Sequence, residues 1–230
     1  RDEYFNRKSL PPNRHWSKHP YIIGGLDKLS GGTWCAINDY GIIACIHNKI
    51  SKINNFIPKE SRGKIILKIL KGKNIKEVLK IINNIDLSRY DGFNLFFANN
   101  DSAYWMKHNV KTKNIYIRKV PEGLSILTSS NLNDRKDKKI NYYIKRINKN
   151  STFNNNKKSL SRIELILKND KIKNQKNKHD PICFNINNKF GTVSSAIICI
   201  NKNFYKNKSL IYRYTNGPPN KSVYKNINLI

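Results

Sequence analysis

The sequence predicts an α+β protein, with antiparallel strands towards both ends of the chain and helices between them. Short apolar runs separated by turn residues occupy residues 31–48 and 92–119, and a further strand-rich region runs from Phe190 to Tyr214. Apolar residues at helical spacing occupy residues 61–85 and 136–168. Strands, helices and strands in this arrangement are typical of a layered α+β fold.

The first thirty residues are rich in Pro, His, Arg and aromatic residues and show no period. Two proline steps, Pro11-Pro12 and His19-Pro20, favour extended backbone, so we expect an ordered loop here and not a helix. The runs GTWCAIN and GIIACIHN then flank the turn residues 39–41 and predict a β-hairpin. FNLFFA, AYWMKH and NIYIRKV alternate with polar turns and predict an antiparallel meander.

Four segments carry a helical pattern. Ser61 precedes RGKIILKILKG, in which Gly72 is a stop signal, and IKEVLKIINNI follows from Ile75. The runs INYYIKRI and LSRIELIL lie on either side of a polar break at residues 150–156. The Asn- and Lys-rich residues 169–178 predict a surface loop.

Composition indicates one domain and weakens a nucleic-acid interpretation. A chain of 230 residues is long enough for one sizeable core, so we expect a single domain over 1–230. The net charge of +29 favours an anionic partner, but 34 lysines against 10 arginines fit the codon bias of an AT-rich genome better than selection for phosphate contacts. We therefore expect a lysine-covered, solvated surface and no specific nucleic-acid partner.

The cysteines predict buried free thiols. Cys35, Cys45, Cys183 and Cys199 have no CxxC spacing and form no Cys/His cluster, and three of them lie in apolar runs. This pattern favours a reducing, cytoplasmic location and predicts neither a metal nor another cofactor. No apolar run is long enough for a transmembrane segment, and no signal peptide is visible.

Three blocks carry a resemblance to a known family. The opening RDEYFNRKSLPP is similar to the end of an Asn-Arg-Asp-Glu signature that lacks its Asn. GGLDKLSGGTWCAINDYGIIACIHN follows, and then PKESRGKIILKIL and YDGFNLFFAN in the same order. The chain resembles the NRDE family, also called the Transport and Golgi organisation 2 family, over its whole length. The family usually has an arginine where this chain has Val193, which weakens an anion-binding role at that position.

The resemblance implies a fold and a chemistry. Such proteins resemble N-terminal-nucleophile hydrolases, whose fold is an αββα four-layer sandwich. In such an enzyme the first residue of the mature chain supplies both the attacking side chain and, through its α-amine, the general base. Family members typically carry a cysteine directly after the initiator Met. The chain as given begins with Arg-Asp-Glu, so we expect its first strand to be missing and the chain to be hydrolytically inactive in this form.

The same resemblance implies catalytic roles for four residues. Arg1 and Asp2 match an Arg and an Asp that hold the nucleophile's thiolate and orient its amine, and Glu3 is a candidate for sharing the second role. A structural ion pair is the open alternative. Asn48 and Asn131 match positions where related hydrolases place oxyanion donors, although Asn is abundant in this chain.

The GGTW unit is a candidate for substrate binding. Its glycines, including Gly32, permit close backbone approach, and the indole of Trp34 could wall a pocket for an acyl or ring-shaped ligand. A strand start packed beneath a buried tryptophan is the simpler alternative, and we favour it.

The sequence therefore leaves two functions open. One is an amidohydrolase or acyltransferase that acts on C–N or thioester bonds in the full-length protein. The other is non-enzymatic handling of haem or of acyl-CoA and lipid metabolites. Both predict a small-molecule ligand, and the sequence leaves the oligomeric state open.

Overall fold

The computed structural model describes residues 1–49, 57–110, 115–148, 157–173, 175, 177–200, 204 and 210–228. Its largest element is a seven-stranded antiparallel sheet whose strands are neighbours in chain order. These strands are β2 (Ser9–Asn13), β3 (Ile22–Asp27), β4 (Cys35–Asn38), β5 (Ile43–Asn48), β6 (Phe93–Ala98), β7 (Ala103–His108) and β8 (Tyr116–Lys119).

Two three-stranded antiparallel sheets contain the remaining described strands. The first has the order β1 (Asp2–Tyr4), β10 (Phe190–Thr192) and β9 (Asn185–Ile186). The second has the order β11 (Ser195–Ile200), β12 (Leu210–Thr215) and β13 (Lys225–Asn226). The described helices are α1 (Gly63–Ile69), α2 (Ile75–Asn83), α3 (Lys138–Asn148) and α4 (Lys157–Leu167).

The sequence-based elements are confirmed from the hairpin onwards. Strands β4 and β5 form the predicted hairpin, with Gly41 at φ +77° in the turn, a conformation that favours glycine. The four helical segments and the meander β6–β7–β8 also form. Ser61 contributes its backbone carbonyl and not its side chain to the start of α1. The predicted polar break at 150–156 lies outside the described residues.

The prediction of a loop over residues 1–30 is wrong, because this region contains β1, β2 and β3. Strand β2 includes Pro11 and Pro12 and lies at the edge of the seven-stranded sheet. Proline is tolerated on an edge strand because no neighbour needs its missing N–H on the outer side. Proline steps therefore did not distinguish an edge strand from a loop in this sequence.

One face of the seven-stranded sheet packs against α1 and α2. Side chains alternate between the two faces of each strand, so every second residue of β3 to β7 faces these helices. Ile66 and Ile69 of α1, Val78 of α2, and Ala44 and Phe97 of the sheet are fully buried in this cluster. Helix α2 begins at an Asn74 cap whose side chain accepts the N–H of Glu77.

The opposite face of the seven-stranded sheet packs against the β11–β12–β13 sheet, which we call the second sheet. Ile23 and Ile37 contact Tyr212 of β12 in a separate apolar cluster. The far side of the second sheet packs in turn on α4, where Leu160, Ile197 and Tyr224 are buried together. Both faces of the central strands are therefore apolar, which explains the nearly continuous hydrophobic runs of β5 and β6.

Asn38 ties the β4–β5 turn to the end of α1. Its side-chain amide donates to the carbonyl oxygens of Leu70 and Gly72, each at 2.9 Å. Its Oδ1 accepts the N–H groups of Tyr40 and Ile42 at 3.1 and 2.9 Å. The residue is 2% exposed, so each of these groups depends on Asn38 and not on water.

We expect Asn38→Ala to lower the free energy of unfolding by about 2–4 kcal/mol, because it leaves buried backbone groups without partners. Chemical denaturation of both proteins measures the difference. Asn6→Ala is the matched control, since Asn6 is exposed. Equal losses in the two variants would contradict this role of Asn38.

Candidate functional site

Arg1 lies at the junction of β1 with the seven-stranded sheet and contacts two of the predicted site residues. Its guanidinium lies over the ring of Trp34 at 4.5 Å, and its Nη2 is 3.7 Å from Glu3 Oε2. Nη1 donates to Ser9 Oγ at 3.3 Å. The side chain is only 6% exposed, and burial lowers the pKa of Arg1. The structure therefore brings Arg1, Glu3 and Trp34 together.

A second ion pair adjoins Arg1. Arg7 donates to both carboxylate oxygens of Asp27, from Nη2 at 2.6 Å and from Nε at 3.3 Å, and its Nε is 3.6 Å from Glu3. Burial alone would raise the pKa of Asp27, but the hydrogen bonds from Arg7 and Ser30 outweigh it and lower the pKa. Two arginines thus share two carboxylates, and the ion-pair alternative for Arg1 involves Glu3 and not Asp2.

Asp2 points away from this network. Residues 1 and 3 share one face of β1, so Asp2 projects from the other face. Its Oδ1 accepts a hydrogen bond from Thr192 Oγ1 at 2.8 Å. Burial lowers the pKa of Lys139, and the nearby Asp2 carboxylate opposes that shift. The two residues predicted to act together on a nucleophile therefore face different surroundings.

Three titratable side chains that the sequence did not single out as functional line the sheet face that meets the second sheet. Cys35 and Cys45 are directly opposed on β4 and β5, and Cys45 Sγ donates to Cys35 Sγ at 3.0 Å. His47 lies two residues further along β5, on the same face. Burial lowers the pKa of His47 to about 4, and Asp2 opposes this shift from nearby. His47 is consequently neutral at neutral pH.

Asn94 on β6 lies opposite His47 on β5, on the same face of the sheet. The residue is fully buried, and its amide donates to the carbonyls of Thr128 and Ser130 at 2.9 and 2.6 Å. Its Oδ1 accepts Trp105 Nε1 at 3.1 Å. Asn94 therefore fixes the loop that leads to Asn131. The sequence signal was available, because a polar residue interrupts the apolar run FNLFFA.

Asn131 lines a groove of about 400 Å³ beside β7 and β8. Trp105, Lys107, Tyr116 and Arg118 line the same groove. The guanidinium of Arg118 lies over the Trp105 ring at 4.9 Å. Within the described part of the chain, the buried Oδ1 of Asn131 has no hydrogen-bond partner. The groove thus combines aromatic surface, two cations and an unsatisfied amide oxygen.

Asn48 and Gly32 lie elsewhere. Asn48 is exposed at the end of β5 and alternates with His47, so it lies on the helix-facing side of the sheet. Gly32 packs against the start of α1, where an added Cβ would lie 2.7 Å from the carbonyl carbon of Gly63. The close approach that Gly32 permits is therefore between two backbone segments of this chain. Gly25 has a similar role, because a Cβ there would lie 2.3 Å from the Trp34 ring.

The described residues contain neither a membrane-spanning helix nor a metal-binding cluster. None of the described helices combines the length and apolar character needed to cross a bilayer. In the same residues no group of three or more His, Cys, Asp or Glu side chains is arranged to hold a metal ion.

The profile of the Transport and Golgi organisation 2 family matches residues 1–213, so the chain belongs to this family. Comparison with curated proteins gave no match.

Among solved structures, the chain is similar to two variants of the conjugated bile acid hydrolase from Clostridium perfringens. One is 8% identical with a TM-score of 0.48, covering 99% of this chain and 91% of that chain. The other is 11% identical with a TM-score of 0.47, covering 99% and 92%.

We expect Asn94→Leu to free the loop that carries Asn131, because three hydrogen bonds of a buried amide are lost. Hydrogen exchange across residues 125–131 should become faster, and the free energy of unfolding should fall by about 2–4 kcal/mol. Asn83→Ala, at an exposed position of α2, is the control. Unchanged exchange in the loop of a folded Asn94→Leu protein would contradict this role.

The lowered pKa of His47 should make the free energy of unfolding depend on pH. Its folded-state pKa of about 4 lies below the unfolded value of about 6.5, so between these values the unfolded chain binds more protons. Stability from this group is therefore present above about pH 6.5 and is lost as the pH falls towards 4. In His47→Asn this loss should be smaller by about 1–3 kcal/mol, as measured by denaturation at a series of pH values.

The control for this comparison is His179→Asn, because His179 is exposed. The pH profile of His47→Asn is compared with that of this variant, which also lacks one histidine. A His47→Asn profile that superimposes on the parent profile would show that His47 does not titrate in this way.

Proposed function

We propose that the full-length protein is an N-terminal-nucleophile hydrolase, an amidohydrolase or acyltransferase that acts on C–N amide or thioester bonds. The layering supports an αββα four-layer sandwich over a single domain: α1 and α2, the seven-stranded sheet, the second sheet, and α4. Family membership supports the same proposal, because the family resembles enzymes of this type.

The proposal rests on an edge of β11 that is unpaired among the described strands. The backbone nitrogen of Arg1 donates to the Ser194 carbonyl at 2.8 Å, and the next N–H, of Ser195, donates to Thr215 Oγ1 of β12 at 3.0 Å. The carbonyl and N–H of one trans peptide point in opposite directions, so Arg1 and β12 lie on opposite sides of this segment. A strand leading into Arg1 would therefore run along the edge of β11 that has no neighbour among the described strands.

Such a strand would place a nucleophile between the sheets. Asp2, Cys35 and Cys45 are all within electrostatic range of the Arg1 backbone nitrogen. In the proposed reaction the nucleophile's thiolate attacks the acyl carbon, its α-amine takes up the thiol proton, and the amine or thiol leaving group departs protonated. Asp2 would orient the α-amine, and Asn131 would donate its amide to the developing oxyanion.

A second candidate function is non-enzymatic handling of haem or an acyl-CoA or lipid metabolite. The groove beside Asn131 favours it, because the exposed Tyr116 offers aromatic surface while Lys107 and Arg118 offer cations for propionates or phosphates. This function predicts retention of the ligand without turnover.

The hydrolase proposal is tested with the chain extended to include its native upstream residues. We expect p-nitrophenyl acyl esters to form a covalent adduct, visible by intact mass, that neutral hydroxylamine removes because it is a thioester. Acylated lysines, which this basic surface would also give, resist hydroxylamine. Replacing the upstream cysteine with serine should abolish the labile adduct. The chain that begins at Arg1 should form no labile adduct.

Asn131→Ala in the extended chain should lower kcat by about 10²–10³ with little change in folding, as for loss of one oxyanion donor. Asn6→Ala is the control. An extended chain with no nucleophile after the initiator Met, or with no labile adduct, would overturn the hydrolase proposal. Saturable binding of haem or acyl-CoA that Arg118→Leu weakens would then support the second function.

A further inference from the structure

The thiol pair of Cys35 and Cys45 is unlike the other two cysteines. Cys45 Sγ donates to Cys35 Sγ at 3.0 Å across neighbouring strands. Cys183 instead donates to Asn220 Oδ1 at 3.2 Å, and Cys199 lies on β11, in the β11–β12–β13 sheet. All four are free thiols, but Cys35 and Cys45 are the pair whose sulfur atoms are described in contact.

The backbone around this pair already has the spacing of a disulfide. The N–H of Ile46 donates to the Trp34 carbonyl at 3.0 Å, so residues 34 and 46 form a hydrogen-bonded pair of the ladder. The adjacent pair, Cys35 and Cys45, is then a non-hydrogen-bonded pair, in which Cα atoms are about 4.5 Å apart. Disulfides span Cα separations of about 4.4–6.8 Å. Side-chain rotation alone can therefore close the bond.

The hydrogen bond also distinguishes the two sulfurs. The hydrogen bond to Cys35, together with burial, raises the pKa of Cys45. Because its pKa is raised, Cys45 is the poorer nucleophile, and we assign it as the resolving thiol beside Cys35.

We propose that Cys35 and Cys45 form an oxidative modification site, at which hydrogen peroxide converts the two thiols to an intramolecular disulfide. The Cys35 thiolate attacks one peroxide oxygen, forming a sulfenic acid and releasing hydroxide, which takes up the thiol proton and leaves as water. Cys45 then attacks the sulfenic sulfur, and the second water departs. Two thiols are oxidised by two electrons and one peroxide is reduced to two waters.

The position of the site gives the modification a structural consequence. Cys45 shares its sheet face with His47, and Tyr212 of β12 lies within electrostatic range of both sulfurs. A disulfide would therefore join β4 and β5 on the surface that meets the second sheet. This inference does not depend on the proposed hydrolase activity.

The test uses a Cys183→Ser, Cys199→Ser variant, in which Cys35 and Cys45 are the remaining cysteines. The folded protein is treated with hydrogen peroxide, unfolded, and alkylated with N-ethylmaleimide. We expect two alkylated thiols before oxidation and none after it, with a mass decrease of about 2 Da for the lost hydrogens. Dithiothreitol should restore both thiols. Adding Cys45→Ser should prevent the mass decrease and leave Cys35 as a sulfenic acid that dimedone traps.

Peptide mapping of the parent protein provides an independent measurement if the serine variants fail to fold. A peptide joining Cys35 to Cys45 after peroxide treatment supports the proposal. Two alkylatable thiols after treatment, sulfinic acid at Cys35 without a linked peptide, or linkage of Cys35 to Cys183 or Cys199 would each overturn it.

Discussion

The structure depends on a seven-stranded sheet that is covered on both faces. Because α1 and α2 pack on one face and the β11–β12 sheet on the other, a polar group on either face of the central strands costs free energy unless it is hydrogen-bonded. Asn94 and Asn38 meet this constraint by bonding to backbone carbonyls of neighbouring segments. Asn38 holds the β4–β5 turn, and Asn94 holds the loop that leads to Asn131.

The sequence predicted the helices and most strands more reliably than it predicted which strands pair. Helices α1 and α2 were clear because their apolar residues recur at helical spacing and Gly72 follows α1. Strands β1 and β2 were missed because β1 is three residues long and β2 carries two prolines at a sheet edge. Short edge strands have little periodicity, so their pairing is fixed by partners elsewhere in the chain.

The candidate site shows the same limit. Arg1 and Glu3 were named from a family resemblance and Trp34 from the GGTW unit, and the three do lie together. The separation of Asp2 from Arg1 follows from strand alternation, but it required knowledge that residues 2–4 form a strand. The sequence indicated Asn131 but not the groove that it lines. That groove is formed by β7 and β8 together with a loop that Asn94 holds in place. The polar interruption of FNLFFA marks Asn94 in the sequence, but it does not reveal which segments Asn94 contacts.

One edge of β11 has no neighbour among the described strands, and this edge affects how the protein behaves in solution. A strand edge presents unpaired N–H and C=O groups that can add a strand from another molecule. Two copies could pair through this edge, and the apolar β11 sequence SAIICI would strengthen such a contact. The chain beginning at Arg1 should therefore be prone to concentration-dependent self-association, and its solubility would report whether a strand covers that edge.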